Sequence, residues 1–266
     1  MNFTKYINET TLADATKKTH IKNLDILSDI LDEPMKVIIK SLDKKYNTRQ
    51  IFQYNKTISK YLDFKNRPKD RVVLLEYAKT IKDSMTLSQQ KRTCEIKKEI
   101  ENNDMKDKEQ LFIALDNLYS EGDYIKFIIN YLLLNFHTRN QDLDLTITNT
   151  KKEMNDETNY LLVRKSKVVF IRNNYKTKDL YGVKEYVITD KKFIYAVKQI
   201  GLGKILHTNN ISREVRSHTI DKLSESQINK IIMFSLPVND LEHISQSRGT
   251  SIPTLLESYN PNKICK

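Results

Sequence analysis

The second half of the chain carries arginines, lysines and a late tyrosine in an order that suits chemistry at a phosphodiester. In chain order these residues are Arg139, Lys176, Lys178, Arg213, Arg216, Arg248 and Tyr259. Breaking a phosphodiester without a metal requires a nucleophile, a cation that neutralises the non-bridging oxygens, and an acid that protonates the leaving oxygen. Tyrosine, arginine and lysine side chains suit these three tasks in turn.

Two of these segments have a clear local pattern. Residues 132–143, Leu-Leu-Leu-Asn-Phe-His-Thr-Arg-Asn-Gln-Asp-Leu, end a hydrophobic helix and place a carboxylate three residues after Arg139. Further along, β-branched and aromatic residues predict a hairpin over Val168–Ile188. Its turn reads Asn-Asn-Tyr-Lys-Thr-Lys, so Lys176 and Lys178 both lie near the tip.

The other two segments lie in the last quarter of the chain. Residues 211–219, Ile-Ser-Arg-Glu-Val-Arg-Ser-His-Thr, place Arg213 and Arg216 three residues apart on a predicted helix. Residues 247–259, Ser-Arg-Gly-Thr-Ser-Ile-Pro-Thr-Leu-Leu-Glu-Ser-Tyr, end at Tyr259. Each pattern alone also suits an ordinary structural role, such as a solvated charge pair or a ring packed at a helix end. Four such patterns in this order are more specific.

Taken together, the four segments resemble the catalytic domain of the tyrosine recombinase (phage integrase) family. The resemblance implies that Tyr259 is the nucleophile. It implies that Arg139 and Arg216 hold the non-bridging oxygens of the phosphate. It also implies that a lysine of the hairpin turn protonates the leaving oxygen, with Lys176 as the first choice and Lys178 as the alternative.

The sequence departs from the family pattern at two positions. The second arginine motif usually reads His-x-x-Arg, and Arg213 occupies the histidine position, which keeps a hydrogen-bond donor but removes a titratable base. A histidine or tryptophan usually precedes the tyrosine by about nine residues, and Thr250 occupies that place before Tyr259. Arg248 is then the candidate donor, with His243 as a weaker option.

The elements that must position these residues divide the chain in two. Helical periodicity indicates four short, lysine-rich helices between about residues 10 and 87. The polar stretch 88–110 predicts an exposed helix end and a linker, with a boundary near 95–107. We therefore expect a mainly α protein with a small antiparallel β-sheet (α+β). Residues 1–100 would form a helical DNA-binding (core-binding) domain and residues 101–266 the catalytic domain.

The charge of the chain favours a polyanionic partner. Its 45 lysines and arginines against 34 aspartates and glutamates give a formal charge of +11, and the excess is spread along the sequence. A distributed positive field suits phosphates laid across a surface. We expect double-stranded DNA as the partner and no small-molecule substrate, and the family resemblance implies a homotetramer on two DNA sites.

Several other classes of site and location are disfavoured. Cys94 and Cys265 form no CxxC pair, so no disulfide framework or zinc site of the usual spacing is available. The five histidines show no HExxH pattern, and we expect neither a metal nor a cofactor, although a Mg²⁺ site made only of carboxylates stays open. The polar first residues and the short, interrupted apolar run Tyr124–Phe136 predict a soluble, intracellular protein without a membrane segment.

Three functional hypotheses follow. The favoured one is a site-specific DNA recombinase or integrase, of viral or mobile-element origin, that works through a 3′-phosphotyrosyl intermediate. The first alternative is a type IB topoisomerase, which has the same chemistry but reseals the original strand. The second is a DNA-binding relative that has kept the fold and lost catalysis, for which the missing histidines are the best argument.

Overall fold

The computed structural model describes residues 2–236, 241–258 and 264–265, and only the backbone of residues 243, 257 and 258. The chain divides into two compact units, Met1–Lys91 and Arg92–Lys266. Helices predominate, and the second unit also contains a small β-sheet. The broad expectation of a mainly α protein of the α+β class is confirmed.

The first unit is built from helices around its own core. They are α1 Phe3–Asn8, α2 Asp14–Leu27, α3 Met35–Lys45, α4 Thr48–Phe64 and the first part of α5 Pro68–Glu101. Helix α4 begins with a capping box, in which Asn47 and Gln50 satisfy each other's backbone N–H groups. Ile38 and Leu42, one turn apart on α3, and Ile58 on α4 are fully buried and belong to the core of this unit.

Helix α5 differs from the sequence-based expectation of a short helix followed by a linker. It runs without interruption from Pro68 to Glu101, through most of the polar stretch. This stretch has no glycine or proline, and Lys97 pairs with Glu101 at 3.8 Å one turn away. Ile96 and Ile100 are buried, so even this polar segment presents an apolar stripe to the second unit's core.

The second unit contains eight further α-helices among its described residues. They are α6 Lys108–Ser120, α7 Tyr124–Phe136, α8 Lys178–Tyr181, α9 Lys191–Ile200, α10 Ile211–His218, α11 Glu225–Phe234, α12 Leu241–Arg248 and α13 Ile252–Ser258. Two 3-10 helices, Asn140–Leu143 and Ile220–Lys222, connect them at sharp corners. The predicted helix that carries Arg213 and Arg216 ends at His218, because the chain turns at Thr219, where the backbone is extended.

The sheet contains strands β1 Leu145–Thr148, β2 Asn159–Val163, β3 Val168–Arg172, β4 Lys184–Ile188 and β5 Gly203–Lys204. Their order is β4-β3-β2-β1-β5. The expectation of an antiparallel sheet is wrong for one pair, since β1 and β2 are parallel. Two parallel strands must begin at the same end of the sheet, so the chain has to run back along the sheet between them. The long connection 149–158 does this between β1 and β2, whereas a tight hairpin turn could not.

Helix α7 lies at the centre of the second unit. It is apolar on most sides, with Phe127, Ile128 and Leu132 fully buried, and it packs against α6 and α9. A helix that is hydrophobic nearly all round belongs in the middle of a domain, and its end is therefore held rigidly. No helix among the described residues combines the length and apolarity that a bilayer crossing requires.

The two cysteines form a disulfide, Cys94–Cys265, with Cα atoms 5.5 Å apart. The expectation that they provide no disulfide is wrong. That expectation rested on the absence of the short spacings typical of cysteine-rich frameworks, whereas these two residues are 171 positions apart. The fold of the second unit brings them together.

Candidate active site

Arg139 meets the segment that leads to the C-terminal tyrosine. His137 ends α7 in the left-handed region, with φ of 50°, and turns the chain out of the helix two residues before Arg139. The Arg139 Nη2 atom donates to the hydroxyl of Thr250 at 2.8 Å and to the carbonyl of Gly249 at 3.3 Å. Two motifs that are separate in the sequence are therefore in direct contact.

Gly249 allows the predicted hairpin to join the same contact. Its φ is +61°, and a Cβ atom there would lie 2.5 Å from the Thr177 hydroxyl oxygen. That hydroxyl donates to the Gly249 carbonyl at 3.0 Å, the same carbonyl that accepts from Arg139. Glycine suits this position because the backbone is left-handed and the hairpin turn approaches closely.

A buried ion pair, absent from the sequence-based site, lies behind Arg139. Arg172, the last residue of β3, is completely buried and donates to the Asp142 carboxylate at 2.5 Å. The same Asp142 oxygen accepts the backbone N–H of Arg139 at 2.8 Å, and Arg172 also donates to the carbonyl of Ser247. The pair thus fixes the backbone at Arg139, the end of β3 and the end of α12 relative to one another.

Arg248, proposed from the sequence as a substitute donor, is also buried. Its guanidinium pairs with Glu225 at 2.5 Å and donates to the carbonyl of His137 at 3.1 Å. The other oxygen of Glu225 accepts the backbone N–H of Asn140 at 2.9 Å. Arg248 therefore connects α12 to the two ends of the turn that carries Arg139.

Lys184 is a further cation that the sequence analysis did not select. It begins β4, directly opposite Arg172 in the strand pair. Its Nζ atom donates to the Gln246 carbonyl and lies 5.6 Å and 5.0 Å from the ring centres of Tyr175 and Tyr181. Burial, with the positive charges of Arg172 and Arg139, lowers the pKa of Lys184 to about 8.

The electrostatic balance of the site is positive. Four cations, Arg139, Arg172, Arg248 and Lys184, accompany two carboxylates, Asp142 and Glu225, which leaves a formal excess of two positive charges. Within the described part of the chain, neither Arg139 nor Lys184 forms an ion pair with a carboxylate, and the buried Nη1 of Arg139 has no hydrogen-bond partner there. Such an excess favours an anion.

The two lysines selected from the sequence flank Thr177 in the turn between β3 and β4. Lys176 is exposed. Lys178 donates its Nζ to the carbonyl of Asp156 at 2.7 Å. The turn is therefore anchored beside Gly249 through Thr177, while neither lysine side chain contacts Arg139 among the described interactions.

Arg213 and Arg216 are exposed on α10. This helix packs against the 3-10 helix that follows Arg139, so the second arginine motif lies beside the first. The Arg216 Nε atom donates to the carbonyl of Lys222 at 3.0 Å. Within the described residues, the structure brings neither Arg213 nor Arg216 into hydrogen-bond contact with Arg139.

The remaining sequence-based candidates lie partly outside the described residues. Helix α13 ends at Ser258, and Tyr259, the proposed nucleophile, lies outside them, as does the side chain of His243. Over the residues that are described, no group of three or more histidine, cysteine or acidic side chains is arranged to hold a metal ion.

Comparisons with known proteins give no relative from which a function could be transferred. No protein-family model, no curated protein sequence and no solved structure matches the chain. The functional argument therefore depends on the residues and on their geometry.

Proposed function

We propose that this protein breaks and rejoins strands of double-stranded DNA through a 3′-phosphotyrosyl intermediate at Tyr259, as a site-specific recombinase or integrase. The observation that carries the proposal is the contact of Arg139 with Gly249 and Thr250. It joins the first arginine motif to the segment that precedes the tyrosine. We further propose that a homotetramer acts across two DNA sites.

The chemistry needs no metal or nucleotide. The phenolic oxygen of Tyr259 bonds to phosphorus, its proton passes to solvent, and the bond from phosphorus to the 5′ oxygen breaks. A 5′-hydroxyl of another strand then attacks the phosphotyrosine and regenerates the phenol. Because each phosphoester bond is exchanged for another, the energy of the broken strand is retained.

The cations have separate tasks in this proposal. Arg139, which forms no ion pair with a carboxylate among the described residues, supplies positive charge to a non-bridging oxygen, in surroundings where a charge-assisted interaction is strong. Arg216 approaches the phosphate from the exposed side of α10, with Arg213 as a further donor. Arg172 and Arg248 are buried in ion pairs, so they position Arg139 and the Gly249–Thr250 segment.

Protonation of the leaving oxygen is assigned to Lys184 in preference to Lys176. A general acid works best when its pKa lies near the working pH. Lys184 meets this condition, because burial and the positive charges of Arg172 and Arg139 lower its pKa to about 8. Lys176 and Lys178 are the alternative acids, and substitution of each of the three lysines in turn distinguishes them from Lys184.

The decisive experiment is adduct formation on a nicked duplex that releases a short fragment after cleavage and so traps the intermediate. We expect an SDS-resistant protein–DNA adduct with the wild type and none with Tyr259→Phe. Tyr195→Phe, which alters a half-exposed tyrosine on α9, is the matched control and should keep the adduct. Failure of both wild type and Tyr259→Phe to form an adduct would sink the enzymatic proposal and leave a DNA-binding protein.

A supercoiled plasmid separates recombination from relaxation. A recombinase exchanges strands only between specific sites, whereas a type IB topoisomerase relaxes any supercoiled substrate. Relaxation at unrelated sequences, at rates proportional to the protein concentration, would replace the recombinase proposal with the topoisomerase alternative. Strand transfer confined to one site would support the recombinase proposal.

A further inference from the structure

The disulfide Cys94–Cys265 joins the last described residues of the chain to the long helix α5. Cys94 lies on α5 directly after Thr93 and two residues before Ile96, and both of these side chains are fully buried. The packing of α5 therefore holds Cys94 at a fixed position in the second unit. Cys265 lies in the short described stretch 264–265. The bond thus attaches the C-terminal segment to a rigid part of this unit.

Helix α13, which leads to Tyr259, is attached only lightly by its own packing. It has seven residues, Ile252–Ser258, and a helix this short is marginal by itself. Among its described side chains, Leu255 is fully buried and Leu256 is partly buried, whereas Ile252 is 38% exposed. Apolar contacts therefore hold the helix over one short stretch, and a further anchor has a large effect on its position.

The disulfide supplies an anchor on the other side of Tyr259. Tyr259 precedes Cys265 by six residues. An extended chain spans at most about 3.6 Å per residue, so the Cα atoms of Tyr259 and Cys265 lie within about 22 Å of each other. The Cα atoms of Cys265 and Cys94 are 5.5 Å apart. The intact bond thus fixes the chain both before and after Tyr259, whereas without the bond only α13 fixes it.

The bond is also accessible to a reductant. Both cysteines are half-buried, and exposed disulfides exchange with thiols more readily than enclosed ones. The thiolate of a dithiol reductant attacks one sulfur atom, breaks the S–S bond and forms a mixed disulfide. The second thiolate of the reductant then displaces the protein sulfur. Two electrons and two protons pass to the protein, which gains two thiols, and the reductant leaves as a cyclic disulfide.

We propose that the Cys94–Cys265 bond is a reversible redox tether that holds α13 in position, and that its reduction slows strand cleavage by Tyr259. The oxidised state restricts the positions that Tyr259 takes relative to Arg139. The reduced state releases the segment at Cys265 while the core of the second unit keeps its packing. This inference deepens the proposed function and rests on it for the reaction that is regulated.

The first measurement is amide hydrogen exchange, which depends on neither DNA nor cleavage. Oxidised wild-type protein is compared with protein reduced by dithiothreitol, and alkylation followed by mass measurement counts the thiols. We expect peptides that cover α13 to exchange about tenfold faster or more after reduction, while peptides that cover α7 keep their protection. The chain contains only two cysteines, so no other disulfide contributes to the difference.

The second measurement is the rate of adduct formation on the nicked duplex in the same two states. Reduction should slow it by about tenfold or more, because small displacements of a reacting group have effects of this size. Reoxidation with diamide should restore the rate. Non-covalent binding of the Tyr259→Phe protein to the same duplex should be equal in both states, which distinguishes a loss of positioning from a loss of folding.

Substitutions connect both measurements to the bond. Cys94→Ser and Cys265→Ser should each behave like the reduced wild type and should respond to neither dithiothreitol nor diamide. Ser88→Ala, an exposed change on the same helix as Cys94, is the matched control and should keep the full redox response.

Four outcomes would overturn the inference. They are two free thiols in the wild type after treatment with diamide, equal exchange at α13 in the two states, loss of protection at α7 on reduction, and an adduct rate that does not respond to reduction. The third outcome would make the bond a general stabiliser of the second unit. If no adduct forms in either state, the proposed cleavage fails, and exchange at α13 still decides whether the bond is a tether.

Discussion

Arg172 and Lys184 lie directly opposite each other at the end of the β3–β4 pair, and they donate to the carbonyls of consecutive residues, Ser247 and Gln246. These carbonyls belong to the last turn of α12, where backbone acceptors lack partners within the helix and favour cations. The turn end of the hairpin therefore caps α12, the helix that precedes Gly249 and Thr250. This contact connects a sheet edge to the segment leading to Tyr259.

The first prediction concerns Lys184 as the acid. Lys184→Ala should slow adduct formation by about 100-fold or more, the usual contribution of a general acid. A substrate with sulfur in place of the bridging 5′ oxygen should restore the rate, because a thiolate leaves without protonation. Lys176→Ala and Lys178→Ala serve as comparisons. If the sulfur substrate rescues Lys176→Ala and not Lys184→Ala, the assignment passes to Lys176.

The second prediction concerns the pH dependence of the same step. The acid must carry its proton, and the pKa of Lys184 is lowered to about 8 by burial and by Arg172 and Arg139. The cleavage rate should therefore be level below pH 8 and fall about tenfold per pH unit above it. Rates measured from pH 6 to 10 test this, and Lys184→Arg should move the decline to higher pH. A cleavage rate that does not change up to pH 10 would contradict this prediction.

The third prediction concerns the buried pair of Arg172 and Asp142. Arg172→Met leaves the Asp142 carboxylate buried without its cation and should lower the free energy of unfolding by about 3–5 kcal/mol. Lys192→Met breaks the exposed pair with Asp116 and should cost at most about 1 kcal/mol. Urea unfolding followed by circular dichroism compares them. Equal losses in the two variants would show that the buried pair has no special structural role.

The fourth prediction concerns Thr250, the residue at the usual histidine position. Thr250→Val keeps the size and removes the hydroxyl that accepts from Arg139 at 2.8 Å. It should reduce adduct formation while Thr250→Ser retains it, because serine restores the acceptor. The lost hydrogen bond to a charged group corresponds to about 1.5–3 kcal/mol, or roughly 10- to 150-fold in rate. Equal rates for the valine and serine variants would exclude this role.

The fifth prediction concerns His20 in the first unit. Burial, followed by the charges of Lys60 and Lys56, lowers the pKa of His20, whose ring nitrogen hydrogen-bonds to Thr57 at 2.9 Å. The folded state therefore favours the neutral ring. The contribution of neutral His20 to the free energy of unfolding is fully present above pH 6.5. It decreases as the pH falls below that value, because the unfolded chain binds the proton more readily.

Urea unfolding at pH 7 and pH 5 measures this effect. His20→Gln should reduce the difference in unfolding free energy between the two pH values. The exposed His207 supplies the control, and His207→Gln should leave the difference unchanged. If both substitutions leave it unchanged, protonation of His20 does not contribute to the acid sensitivity of the first unit.

The sequence predicts the order of motifs and most of the helices, because these depend on local spacing. It identifies Arg139 and the Gly249–Thr250 segment separately, and it does not reveal that they touch. The sequence analysis did not select Arg172 and Lys184, because their proximity depends on the register of β3 and β4, in which they are directly opposite each other. Arg172 did carry a signal, since a charge that closes an apolar strand needs a buried partner. The partner, Asp142, is thirty residues away and cannot be chosen from local pattern.

The disulfide changes the covalent connectivity of the chain. Joining Cys94 to Cys265 makes residues 94–265 a covalent ring and leaves residues 1–93 as an N-terminal tail in the covalent sense. One proteolytic cut inside the ring would leave a single molecule until a reductant separates the pieces, whereas one cut before Cys94 would release the tail at once. Tyr259 lies within this ring, so in the proposed reaction a DNA strand joined to it would stay attached to every ring residue after such a nick.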